Sequence, residues 1–413
     1  MIKLNTSGMV LVLAAMTALG PLATSMYLPA FPAMTRAFGV GADQIQLTLS
    51  VYMGGLAVAQ LICGPLADRF GRKPLLLTGM ALFVLGSLGC LLADTIGTLL
   101  AYRFLQAFGA AAGMVLSQAV VRDTFAPADA ARMLAYMGST TALAPAVAPV
   151  VGGVLLVHFG WPAIFAVLMI YAALMLVVVS IALSESLPRD RRQPLHPRSV
   201  LHNYRTVITN RTFLGHALAV SMMFAGHYGF MSGAPFVLIE LFNVSEANFG
   251  WYFMFVVGAF ITGSLAGARL APRVGAHRLV IAGATLLALA GALMVSVVLL
   301  GVGSPTTLIG SQLVYAIGAG FIMPQLIAGA LMPFHHMAGT AAALLGFIQM
   351  SSAGITSALV GRLYNGTALP MAFVIMLAGA GALVAYLLLI KKPALAADQA
   401  AVEPSARLNA PDQ

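Results

Sequence analysis

The chain reads as an all-α polytopic membrane protein: twelve transmembrane helices in two pseudo-symmetric six-helix bundles. Three observations predict this. Of 413 residues, 60% are hydrophobic and only 8% are charged, and the mean hydropathy is +0.95; a soluble chain carries about a quarter charged residues. The apolar residues fall in runs of about 20, the length a helix needs to cross a hydrocarbon core of roughly 30 Å. The polar stretch GPLADRFGRKP at 64–74 returns, weakened, as ARLAPRVGAHRL at 268–279. Leu66, Ala67, Arg69, Gly71 and Leu75 recur as Leu270, Ala271, Arg273, Gly275 and Leu279, an offset of 204 residues or half the chain.

The predicted spans are 8–30, 45–67, 75–93, 97–120, 132–157, 161–184, 212–239, 248–269, 278–301, 306–331, 338–361 and 368–390. They are helices because lipid cannot satisfy an open backbone, and the runs are too long for barrel strands. Lys3, the apolar run after it and Ala23-Thr24-Ser25 resemble a cleavable leader, but its removal would leave eleven spans and break the repeat. Residues 1–184 therefore form the first bundle, 185–211 a cytoplasmic linker, 212–392 the second bundle and 393–413 a disordered cytoplasmic tail. With Pro188, Pro194, Pro197 and five arginines before Arg211, the linker reads as a solvated basic loop beside an anionic leaflet.

Eighteen of the 21 Lys and Arg residues lie on one side of this topology, including Arg69, Arg72, Lys73, Arg122, Arg132, Arg273, Lys391, Lys392 and Arg407. Cytoplasmic loops hold the basic excess, so both termini are placed inside the cell. The net charge of +9 is thereby explained as a topology signal, without nucleic acid. Cys63 and Cys90 fall near opposite faces of the membrane and are read as small buried side chains, not a disulfide. There is no nucleophile–base pair, cofactor motif or metal-ligand cluster, and no sizeable soluble domain to hold one. An enzyme is not the reading.

Charge is scarce, so each charged motif needs a cause. Asp68 stands at a helix C-terminus, where the dipole is unfavourable to an acid, and seeks cations or another helix's N-terminus. Arg69, Arg72 and Asp123 can complete a network with it. In the repeat, Pro272 occupies the acid's place. Arg103, in RFLQAFGAA with Gln106, lies roughly 9 Å inside span 4 at 1.5 Å per residue. A cation that deep faces a cavity with partners, or else snorkels to the interface. Pro149, Gly152 and Gly153 in APAVAPVVGG permit close helix contact and a kink, as a hinge or a seal.

These stretches resemble the signature loop, span-4 motif and span-5 antiporter motif of the major facilitator superfamily. That family's fold is two six-helix bundles joined by a long cytoplasmic linker. By that resemblance Gly64, Asp68, Arg69, Gly71, Arg72 and Asp123 form a cytoplasmic latch, Asp68 facing the start of span 11 near Gly339 and Thr340. MYLPAFP at 26–32, VRD at 121–123, RRQPLH at 191–196, GAPFVLIE at 233–240, NFGWYF at 248–253 and HMAGTAAAL at 336–344 are similar to the Bcr/CflA drug-resistance branch. The resemblance implies a functional monomer in the bacterial inner membrane, exchanging bicyclomycin-, chloramphenicol- or sulfonamide-like drugs for protons.

One position departs from that branch. An Asp usually precedes the MYLP run, and here the residue is Ser25. None of the twelve Asp and Glu residues lies mid-span, and a serine does not titrate near neutral pH. Either coupling is altered or the proton travels elsewhere. His227 in FAGHYGF maps by the repeat to within a turn of Ser25 and titrates in the useful range; a neutral, hydrogen-bonded histidine is the alternative. Gly and Pro residues in spans 1 and 7 suggest helices broken near the midplane, where transporter sites lie. Tyr27, Tyr52, Gln106, Phe224, Tyr228 and Phe230 are the candidate substrate cavity. The function expected is drug/proton antiport by alternating access, with a facilitator or uptake carrier for a small anionic solute as the alternative.

Overall fold

The computed structural model describes residues 6–192 and 196–390. The predicted tail 393–413, together with Lys3, Lys391, Lys392 and Arg407, lies outside the described residues. The first half comprises α1 (Thr6–Ser25), α2 (Phe31–Phe38), α3 (Ala42–Phe70), α4 (Arg72–Leu91), α5 (Ile96–Thr124), α6 (Pro127–Phe159) and α7 (Pro162–Ala182). After α8 (Pro197–Ile208) come α9 (Arg211–Pro235), α10 (Glu246–Val274), α11 (Ala276–Leu299), α12 (Pro305–Leu331), α13 (Ala338–Leu363) and α14 (Leu369–Leu389). Twelve of the described helical segments are long and apolar enough to cross a membrane. They match the predicted spans, and most run a few residues further at their ends.

Local sequence sets these boundaries. Thr95 and Ser304 cap α5 and α12 through reciprocal bonds with Thr98 and Thr307, satisfying backbone donors that a helix start leaves bare. α1 stops at Ser25 because Pro29 and Pro32 remove the N–H groups that would continue its ladder. A short 3-10 turn over Leu28–Ala30 then leads into α2, which Gly39 ends in a left-handed conformation, φ 63°. The break in span 1 thus lies beyond Ser25, since α1 is continuous through Gly20 and Pro21. Span 7 likewise runs unbroken to Pro235 before a π-helical stretch, Phe236–Leu241. The predicted midplane breaks are corrected to this extent: proline placement near the end of each span, not glycine at its centre, interrupts the ladder.

The linker also differs from the solvated loop expected. It contains α8, whose Val207 is fully buried and whose Tyr204 hydroxyl donates to the Leu61 carbonyl of α3 at 2.9 Å. An amphipathic pattern with one apolar face sufficed to form a helix and seat it on the bundles. Residues 332–337, read as loop, are a 3-10 turn.

Two seams join the bundles: α3 packs on α13, and α6 packs on α10. On the face opposite the basic one, the second seam is tight because its residues are small. A side chain at Gly153 would lie 2.6 Å from the Glu246 carbonyl and one at Gly250 would strike the Val150 backbone, while Gly152 lets α6 close on the Met26 carbonyl within the first bundle. Phe31 meets Phe236 at 6.0 Å between ring centres, and Arg36 pairs with Glu246 at 3.4 Å. That face is closed.

Candidate transport cavity and the charged network beside it

The seams enclose a cavity of about 510 Å³ between the bundles, walled by α1, α5 and α6 on one side and α9, α10 and α12 on the other. It extends from Ser25 and Phe253 towards the basic face, where Leu134 and Met137 of α6 and Met323 of α12 line it. No Asp, Glu, Lys or Arg lines it among the described residues. The polar groups are Thr17, Thr24, Ser25, Gln118, Thr141, His227 and Tyr228, and five methionines supply much of the apolar wall. Methionine is unbranched and polarizable, so such a wall adapts to ligands of different shape.

Of the predicted cavity residues, Phe224 and Tyr228 line it, their rings stacked at 6.2 Å. The others do not. Phe230 is buried behind the wall against Phe253 at 5.7 Å. Tyr27, Tyr52 and Gln106 instead surround Arg103. Helical periodicity turned them into the first bundle, a rotation that residue type alone does not reveal.

His227 and Ser25 both line the cavity, from opposite bundles. The His227 ring meets Tyr228 edge-on at 5.6 Å. No hydrogen bond to His227 is present among the described residues, so the hydrogen bond expected of it inside the bundle is not formed.

Arg103 is fully buried and does not snorkel. Its guanidinium lies between the rings of Tyr27 and Tyr52, 4.2 Å from each centre, with Phe165 at 5.9 Å. Nη1 donates to the Ala23 carbonyl at 3.1 Å and to Gln106 Oε1 at 2.6 Å; Gln106 in turn donates to Ser87 Oγ at 2.8 Å. No carboxylate pairs with it among the described residues. Burying an ion costs several kcal/mol. Two desolvated cation–π contacts at up to about 2 kcal/mol each, with two charge-assisted hydrogen bonds at about 1.5–3, are of that size. The cation is therefore held by rings and carbonyls, and Nε and Nη2 remain without partners.

On the basic face, Arg72 bonds Asp68 at 2.6 Å and Asp123 at 2.9 Å. Arg69 stays out of this network and lies over its neighbour Phe70 at 5.3 Å. No described contact joins Asp68 to α13, and the space around Gly339 is open. The expected contact between Asp68 and span 11 is thus not formed. Gly64 is likewise unconstrained, but Gly71 is not: its φ is 102°, and any side chain there would meet Glu185 and Arg192. Glu185 is the residue that sequence reasoning missed. Its carboxylate accepts from the backbone N–H of Arg72 at 2.9 Å, of Lys73 at 3.3 Å and of Leu187 at 3.0 Å, and pairs with Arg192 at 3.7 Å. It caps the start of α4 from the linker, a favourable place for an anion. An acid directly following an apolar span was its only signal. Pro149, Gly152 and Gly153 lie within an unbroken α6, so the structure shows them as close packing rather than as a break.

Two bundles of six membrane-length helices, related by an internal repeat and enclosing a cavity between them, define the class as a membrane transporter. The Major Facilitator Superfamily sequence model matches residues 13–358, and the chain belongs to that family. It is 36% identical to an uncharacterized MFS-type transporter of Bacillus subtilis, YdgK, over 86% of this chain and 88% of that one. It is 31% identical to a bicyclomycin resistance protein homolog of Haemophilus influenzae, covering 88% and 91%. It is 32% identical to a chloramphenicol resistance protein of Pseudomonas aeruginosa, covering 89% and 87%. The resemblance to the Bcr/CflA branch agrees with these relatives. Among solved structures, the xylose transporter XylE of E. coli shares the fold with a TM-score of 0.71 at 14% identity, covering 92% of this chain and 96% of that one.

Proposed function

We propose that the protein exports small, uncharged amphipathic drugs across the bacterial inner membrane in exchange for protons, its basic face in the cytoplasm. The observation that carries this is the cavity: apolar, rich in methionine, free of charged side chains, and closed on the face opposite the basic one. Its size suits compounds of the kind named in the bicyclomycin and chloramphenicol resistance relatives. His227 is the one histidine in the lining among the described residues, and in this reading it takes up the proton when the cavity faces outward and yields it inside.

The Asp68–Arg72–Asp123 network belongs to this reading as a latch. When the basic face closes, Asp68 reaches the N-terminus of α13; in the state seen here it pairs only with Arg72. The alternative, a carrier for an anionic solute, rests on Arg103, and Arg103 stands behind the wall instead of in it. The test is drug accumulation in cells producing the protein. Labelled chloramphenicol should accumulate less than in control cells, and a protonophore should abolish the difference. A difference that survives the protonophore would exclude proton coupling.

A further inference from the structure

We infer that the cavity holds its drug in one orientation, an aromatic ring against the second bundle and the hydrogen-bonding groups against the first, with Phe224 and Gln118 setting this specificity. The inference rests on the proposed export function and deepens it.

The two walls differ in chemistry. Every aromatic side chain in the described lining comes from the second bundle: Phe224 and Tyr228 of α9, Phe253 and Phe260 of α10. The rings of Phe224 and Tyr228 are near parallel, at 17°. Phe253 is backed by Phe230 at 5.7 Å and Phe249 at 4.9 Å, and both of these are buried. A layer of packed rings thus holds a layer of cavity-facing rings, and such a wall favours an arene beyond its apolar area. Of this wall's two polar groups, His227 carries the proton in the export reading, and the Tyr228 hydroxyl lies at the rim of its own ring.

The first bundle contributes no ring. It brings Thr17, Thr24, Ser25, Gln118 and Thr141. The threonine hydroxyls already donate to carbonyls of their own helices: Thr17 to Leu13, Thr24 to Pro21 and Thr141 to Met137, each at 2.9 Å. They keep only an accepting oxygen for a ligand. Ser25 is 1% exposed. Gln118 is exposed and makes no hydrogen bond among the described residues. Its amide offers two donors and an acceptor, so it is the accessible group on this wall that both gives and receives. An uncharged arene with its polar substituents on one side satisfies both walls together. Turned over, it would set those substituents against carbon at the cost of their hydrogen bonds.

Binding is measured on the purified full-length protein in detergent with radiolabelled chloramphenicol, whose nitrophenyl ring carries its hydroxyl and amide groups on one side chain. The competitor is its analogue with a cyclohexyl ring in place of the aromatic one. Wild type should prefer the aromatic compound by about two- to tenfold. Phe224→Leu keeps an apolar side chain without the ring and should remove most of that preference; Phe224→Tyr should retain it. Gln118→Leu should weaken both compounds by about two- to tenfold and leave the preference intact. A preference unchanged in Phe224→Leu, or wild-type binding of both compounds by Gln118→Leu, would overturn the inference and leave the export function standing. Failure of the wild type to bind either compound would overturn both.

Discussion

At the scale of single residues, two positions show how much a side chain can and cannot announce. Arg103 was conspicuous in the sequence as a deep cation, and it is indeed fully buried. Its compensation by Tyr27 and Tyr52 was not legible, because which residues of α1, α3 and α5 converge depends on helix rotation. Tyrosines in apolar spans suggest a cavity as readily as a cation box. Ser25 was legible as a departure from its branch, and the structure places it on the cavity wall. Ser25→Asp should raise proton-coupled export by giving Arg103 a titratable partner. Drug flux in proteoliposomes checks this, and flux equal to wild type would sink the idea. Gly71 adds a backbone case to these two. Its φ of 102° and its contact with Glu185 make Gly71→Val strained and overpacked at once, costing about 1–3 kcal/mol. Thermal unfolding in detergent should show the loss, and an unchanged midpoint would contradict the packing described.

At the scale of elements, the apolar spans were readable almost to their ends, because length and hydropathy are set by the bilayer. The linker was not. Prolines and arginines pointed to a loop, whereas the Val207 and Tyr204 side of α8 found a seat on the bundles. Burial pushes the Tyr204 hydroxyl up to about 12, above its ordinary value of about 10. The raised value means that the protonated, folded form is favoured. Its contribution is complete below about pH 10 and is lost as pH rises towards about 12. Tyr204→Phe should therefore lower stability by about 0.5–1.5 kcal/mol, by the same amount at neutral and mildly alkaline pH, as read by thermal unfolding. A difference that varied across that range would contradict the assignment.

Glu185 ties the same linker to α4. Its loss in Glu185→Gln should leave export weakened and the linker more open to limited proteolysis. Asp68→Asn acts on the latch instead. It should cripple transport without abolishing folding, and normal flux in the purified variant would show that Asp68 has no such role. The distinction matters because Asp68 is about half exposed, so its pairing with Arg72 in this state contributes little to stability. Its importance would lie in the other state.

At the scale of the whole molecule, the internal repeat was enough to anticipate two bundles, and the paired small residues were enough to anticipate close contact between helices. Which seams close, and on which face, required the three-dimensional arrangement. Gly152 and Gly153 of α6 lie against Met26 and Glu246 because the end of α1 and the start of α10 meet α6 there, a long-range event that no local motif encodes. In the proposed alternating cycle, the closed face and the cavity running towards the basic face describe one state, in which Asp68 makes no described contact with α13.

The central claim is that this cycle exchanges an uncharged drug for protons. Its most direct measurement is proton movement in proteoliposomes loaded with a pH-sensitive dye. Adding chloramphenicol without an imposed gradient should produce drug-dependent proton release from the protein, and His227→Gln should diminish it severalfold. Drug exchange that proceeds at the same rate at every pH, with no proton signal, would contradict the account.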